Sequence, residues 1–144
     1  MYRKILVTLD TTPSDQELLP HIARLATLLK SELVLLHVAD GWVARNFDQL
    51  NLAESEEMKE DWRYLEETAA RLRSETGLTI ETRLALGDPP AQILQVAEKE
   101  QCDLIALASH GHRLVGDIIL GSTIEAVRHK ARVPILVVPP PQVK

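Results

Sequence analysis

The chain has 144 residues, 45% of them apolar and 26% charged. That length and composition suit one domain burying about two thirds of its unfolded surface. Acids outnumber bases 21 to 16, a formal net charge of −5, which argues against a general nucleic-acid binder because that function needs a basic footprint. The five aromatic residues are too few for a base-stacking platform, and the single Cys102 excludes an intramolecular disulfide and a paired-cysteine zinc site.

No apolar run approaches the roughly 18 residues of a membrane span. Met1-Tyr2-Arg3-Lys4 leads only into Ile5-Leu6-Val7, too short a run for a secretory signal. The expected location is therefore the cytoplasm, with no membrane partner. The negative charge is concentrated: Glu54–Glu67 holds seven acids and two bases, and the rest of the chain balances. A solvated helix face is the expectation there.

In chain order, Ile5–Leu9 is a short continuous apolar run, as expected of a parallel strand buried on both faces. Ser14-Asp15-Gln16-Glu17 has a capping-box pattern, with Leu18, Ile22, Leu25 and Leu29 following at helical spacing. Pro20 should kink that helix or mark its real first turn. Leu33–Val38 is the second strand. Residues Ala39–Ala53, with Trp42 and Phe47, read as the one long connection. A second helix carries Met58, Trp62, Leu65, Ala69 and Leu72 on one stripe and stops at Gly77.

Leu78–Leu86 alternates apolar and polar residues and reads as a half-exposed strand at a sheet edge. Asp88 as N-cap and Pro89 at the first position open a third helix that turns Ile93, Leu94 and Ala97 inward. Leu104–Ala108 is the fourth strand. A fourth helix runs from about Ser122 to His129 and Lys130, whose charges suit its C-terminal end. Ile135–Val138 is the last strand, ended by Pro139-Pro140-Pro141. This alternation gives an α/β fold, a single doubly wound domain over residues 1–144.

In such a sheet a ligand sits beyond the carboxyl ends of the strands, where the winding direction switches. With strand one central, strands one and four flank that crevice. Strand one ends in Thr8-Leu9-Asp10-Thr11-Thr12, and strand four in Ala108-Ser109-His110-Gly111-His112. Gly121-Ser122-Thr123 opens the fourth helix. Gly111 and Gly121 let backbone amides approach an anion, and the helix start adds unpaired N–H groups. Asp10 suits ribose hydroxyls or, equally, an Asx turn at the strand end. Gly121 is either part of a phosphate cradle or a plain turn glycine before a Ser122 cap. Gly116 to Ser122 imitates a Walker A spacing but lacks the lysine.

Ala108-Ser109-His110-Gly111, nine residues and then Gly121-Ser122 resembles the universal stress protein signature G-x2-G-x9-G-[ST]. Lys4 to Asp10, Leu36-His37-Val38, Gly87-Asp88-Pro89 and Val133 to Val138 resemble the family in the same order, so the likeness covers essentially the whole chain. It implies a five-stranded parallel sheet in the order 3-2-1-4-5 with helices on both faces, of the adenine nucleotide alpha hydrolase-like kind. It further implies ATP (or AMP) with Mg2+ alongside. Thr8, Leu9 and Asp10 would then border the ribose, and the Val38 backbone would meet adenine. Ala108, Gly111, His112, Gly121, Ser122 and Thr123 would surround ribose and phosphates. The chain departs from the pattern at Ala108, where the signature has its first glycine, and at Thr8, where many members have proline.

No catalytic constellation emerges. There is no G-x-S-x-G elbow, and His110 and His112 alone are weak metal ligands. Arg113 is a remote candidate for a charge clamp, and His37 is expected to pack at a strand end. The last strand, apolar and at a sheet edge, is expected to pair with a second copy in a homodimer. The implied role is an ATP-binding regulatory module in stress response. The alternatives are a slow ATP hydrolase using the same crevice, and a nucleotide-free adaptor acting through the acidic helix or the Trp42–Phe47 segment.

Overall fold

Strand β1 (Lys4–Thr8) is central in the sheet of the computed structural model, which describes residues 1–40, 47–109 and 123–139. It pairs in parallel with β2 (Glu32–Asp40) on one side and β4 (Leu104–Ala108) on the other. Outside these lie β3 (Ile80–Gly87) and β5 (Ile135–Val138), also parallel, giving the order 3-2-1-4-5. Among the described residues no helix is long and apolar enough to cross a membrane.

Successive residues of a strand point to opposite faces, and both faces here are apolar. Ile5, Val7, Leu33, Leu35, Leu104 and Ala106 pack on one side against helix α1 (Asp15–Leu29) and helix α2 (Phe47–Thr76). Leu6, Val34, Leu36, Ile105 and Leu107 pack on the other side with Ile93 and Ala97 of helix α3 (Pro89–Lys99). Val127 of helix α4, helical over residues 123–130, joins that second core. The runs of β1, β2 and β4 are therefore buried as their lack of alternation implied, whereas β5 is only partly buried, with Val137 exposed. The alternating third segment is an edge strand, with Ile80 and Thr82 buried and Leu86 exposed.

Local signals were met unevenly. Asp88 caps α3 by accepting from the Ala91 N–H, and Gly77 ends α2 at φ +72°. The Ser14 cap is not made: its side chain bonds no helix N–H, and its hydroxyl lies against the Asp10 carboxylate instead. Pro20 does not open α1; the helix begins at Asp15 and runs through it. The missing N–H falls opposite the carbonyl of Gln16, an exposed residue.

Two expectations about α2 need correction. The long connection Ala39–Ala53 shrinks, because β2 continues to Asp40 and α2 already starts at Phe47; Trp42 lies outside the described residues. Trp62 is 44% exposed and does not belong to the inward stripe, which consists of Leu65, Thr68, Ala69 and Leu72 with Tyr64 half-buried beside them. A helix this long drifts relative to any fixed set of apolar positions, and the sheet beneath selects the face.

The two leucines Leu65 and Leu28 share chemistry and differ in surroundings, one fully buried and the other 80% exposed. Leu65→Ala should cost ~2–5 kcal/mol in urea unfolding. Leu28→Ala should stay within about 0.5 kcal/mol.

Candidate functional site

Past the carboxyl end of β1 the chain leaves the sheet at its switch point, between β2 and β4. A cleft of about 130 Å³ opens there, lined by Thr8, Leu9, Asp10, Leu36, His37, Val38, Pro89, Ile93, Leu107, Ala108, Thr123 and Ile124. Its walls are mostly apolar, and its polar groups come from the β1 end, His37 and the start of α4. Six of the ten residues expected at a ligand site line it: Thr8, Leu9, Asp10, Val38, Ala108 and Thr123. The other four, Gly111, His112, Gly121 and Ser122, lie outside the described residues, as do His110 and Arg113.

Each residue of the β1 end is tied individually. Thr8 Oγ1 donates to the Ala106 carbonyl of β4 at 3.3 Å. The Leu9 N–H reaches the Leu36 carbonyl at 2.7 Å, which extends the β1–β2 pairing by one residue. The Asp10 carboxylate forms an Asx turn: Oδ1 accepts from the Thr12 N–H at 3.0 Å and from the Thr12 hydroxyl at 2.6 Å. Ser14 Oγ adds bonds of 3.3 and 3.2 Å to its two oxygens. The Asx-turn reading of Asp10 therefore holds, and a carboxylate so oriented also borders the cleft.

Beneath this turn lies a buried group that the capping-box pattern gave no sign of. Asp15, in the first turn of α1, is 1% exposed. Its Oδ1 accepts from the Asp10 N–H at 3.1 Å. Its Oδ2 accepts from the Thr11 N–H at 3.0 Å and from the Tyr64 hydroxyl of α2 at 2.7 Å. Burial pushes the Asp15 carboxyl up to about 6, against the opposing pull of the Tyr64 and Asp10 N–H bonds. Burial and the Asp15 carboxylate together drive the Tyr64 phenol well above its ordinary value.

His37 is a second tie. Its Nδ1 lies 2.8 Å from the Leu9 carbonyl, which can only accept, so Nδ1 carries the hydrogen. Its Nε2 faces Asp61 Oδ2 of α2 at 3.4 Å. Asp61 thus leaves the solvated acidic face on which the charge run placed it. Glu66 does so too, accepting from the Thr82 hydroxyl of β3 at 2.6 Å. Glu56, Glu57, Glu60 and Glu67 remain exposed.

Sequence reasoning missed Asp15, Tyr64 and Asp61 as contributors. A first-turn acid reads as a helix-end charge, and only a tyrosine one position from the inward Leu65 hinted that its hydroxyl would need a buried partner. Elsewhere, Cys102 is buried and its thiol is pushed up to about 11 by that burial, so it is no nucleophile near neutral pH.

Asp15 has a testable pH signature. Its carboxyl titrates near 3.8 unfolded and near 6 folded, so the folded state holds the proton more tightly. Its contribution to stability is full below about pH 4 and is lost as pH rises through 6. Urea unfolding of wild type and Asp15→Asn across pH 4 to 7 should show wild type losing about 2 kcal/mol relative to the variant. A pH-independent difference would refute the assignment.

Residues 1–139 match the model of the universal stress protein family. Universal stress protein MJ0577 of Methanocaldococcus jannaschii is 29% identical over 154 residues, covering 96% of this chain and 95% of that protein. A solved structure of MJ0577 superposes with a TM-score of 0.86 at 30% identity over 99% of both chains. Two structures described with nucleotides share the fold at lower identity. One is a universal stress protein in complex with cAMP, with a TM-score of 0.70 at 18% identity over 95% of this chain and 96% of that one. The other is the universal stress protein from Archaeoglobus fulgidus in complex with dAMP, with a TM-score of 0.70 at 21% identity over 95% and 98%. With its sheet order, its switch-point cleft and a family match running from residue 1 to 139, the chain belongs to the universal stress protein family.

Proposed function

We propose that this chain is a single-domain regulatory module of the stress response, working in the cytoplasm, that binds ATP with Mg2+ in the switch-point cleft. The observation that carries this reading is the cleft itself: apolar walls suited to a base, with an oriented carboxylate at its edge suited to ribose hydroxyls. Its volume of about 130 Å³ is below the roughly 300–1,000 Å³ of pockets that enclose a drug-sized ligand. In this reading it takes only the nucleoside end. The Val38 backbone meets adenine and Asp10 meets the sugar, while the phosphates run toward Gly111, Gly121, Ser122 and Thr123. The cAMP and dAMP complexes of related folds support an adenine nucleotide as the ligand class.

Among the described residues no three His, Cys, Asp or Glu side chains converge as a metal cage. Mg2+ in this reading arrives on the phosphates and keeps most of its water, as that ion usually does. The reading is of binding rather than rapid turnover, since the sequence offers only Arg113 as a remote candidate for a charge clamp.

Assembly follows from β5. It is the terminal strand of the sheet, and Val137 is 38% exposed. An apolar edge of this kind is protected when a second copy pairs with it across a two-fold axis, and we infer a homodimer through Val133–Val138.

Mass spectrometry of small molecules released from the denatured protein should find an adenine nucleotide. Calorimetry with ATP and Mg2+ should show Asp10→Ala binding roughly ten- to a hundredfold more weakly, the weight of one or two charge-assisted hydrogen bonds. Gly121→Val should bind more weakly still, because a branched Cβ would stand in the phosphate path. Unchanged affinity in both variants would overturn the site. Light scattering after size exclusion should give twice the 16.1 kDa chain mass, and a clean monomer would remove the dimer.

A further inference from the structure

We propose that Asp15 and Tyr64 are positioning residues for the nucleotide cleft, holding the backbone of Asp10 and Thr11 so that the Asp10 carboxylate keeps its place at the cleft edge. The inference rests on the nucleotide reading above and deepens it, because neither side chain lines the cleft.

Three donors converge on one buried carboxylate: the N–H groups of Asp10 and Thr11, and the Tyr64 hydroxyl. Both oxygens are used and neither is exposed to water. Burying a carboxylate is costly, and here it secures the two residues that carry the chain out of β1. Thr11 sits at φ +63°, a left-handed conformation that β-branched residues rarely adopt. Its N–H is held there by Asp15 Oδ2. The Asp10 side chain is collared from the other direction by Thr12 and Ser14. The backbone tie therefore sets where that collar stands relative to the cleft.

Helix α2 grips the same segment twice, one turn apart. Tyr64 reaches it through Asp15, and Asp61 reaches the Leu9 carbonyl through His37. The titratable groups acting on Asp15 are Asp10 from the β1–α1 turn, whose charge opposes its ionisation, and Tyr64 from α2, whose neutral hydroxyl favours it by hydrogen bonding. Arg71 of α2 acts on Tyr64.

The ionised carboxylate matches three donors. Protonation removes the charge and puts a hydrogen on one oxygen, so the bonds from the Asp10 and Thr11 N–H groups weaken. Because burial brings the carboxyl to about 6, the change falls within an accessible pH range.

The test is calorimetry with ATP and Mg2+ on wild type, Asp15→Asn and Tyr64→Phe between pH 7.5 and 5, with amide exchange at residues 10 and 11 of the ligand-free proteins. At pH 7.5, Asp15→Asn should bind roughly tenfold more weakly and Tyr64→Phe roughly threefold. Both should exchange those amides faster than wild type. As pH falls through 6, the affinity ratio of wild type to Asp15→Asn should shrink toward one. The ratio cancels titration of the nucleotide's own phosphates.

A ratio that stays constant with pH marks general structural damage and overturns the proposal. So does unchanged affinity in both variants of a wild type that binds. If Asp15→Asn does not fold, Tyr64→Phe decides by the same two readouts, affinity and exchange. A wild type that binds no nucleotide overturns the reading of the cleft and this inference with it, an outcome distinct from the others.

Discussion

A strand covered on both faces and paired along both edges has only its ends free, and β1 is such a strand. Ile5 and Val7 face one core, Leu6 faces the other, and β2 and β4 occupy its edges. No register slip is tolerated where both faces are apolar and each is matched to its own helices. The chain must leave at Leu9, between β2 and β4, and the cleft opens beside that exit, lined from both strands and from the first turns of α3 and α4. Its location is a consequence of burying the central strand, and its chemistry is whatever the residues immediately after Thr8 happen to be.

Those residues are unusually constrained. A loop at a sheet switch point ordinarily owes its order to the ligand or to solvent-exposed turn chemistry. Here Asp10 supplies its own Asx turn, and the backbone on either side of it is bonded to side chains of β2 and α1. The Leu9 carbonyl meets His37 and the Asp10 and Thr11 amides meet Asp15. Both partners connect to α2 through Asp61 and Tyr64. The long acidic helix is thus more than a solvated cover for the sheet: one side of it enters the core with Leu65, Ala69 and Leu72, and its border residues hold the edge of the cleft.

The architecture was largely legible in the order of residues. Four apolar runs and one alternating segment, separated by helical periods, dictate a parallel sheet, and the boundaries of β4 and β5 coincide with their runs. Asp88-Pro89 and Gly77 marked helix ends because capping is local chemistry, decided within four residues. Where a local signal met a competing tertiary partner, the partner won. Ser14 had the pattern of a cap but found the Asp10 carboxylate, and Trp62 had the spacing of a core residue but faces outward.

The sequence by itself determined the fold class, the strand order through its family resemblance, and six of the residues that border the cleft, because hydrophobic period and strand-end position are properties of short stretches. Only the tertiary structure decided that Asp15 is buried, that Tyr64 and Asp61 reach the β1 end from a helix some 50 residues further on, and which side of α2 faces inward. These depend on how a helix is rotated over a sheet, and that rotation is set by the packing of both cores together. The charge of −5 shows the same division. Its concentration in one helix is written in the sequence, while the inward turn of Asp61 and Glu66 is a matter of what the sheet beneath them offers.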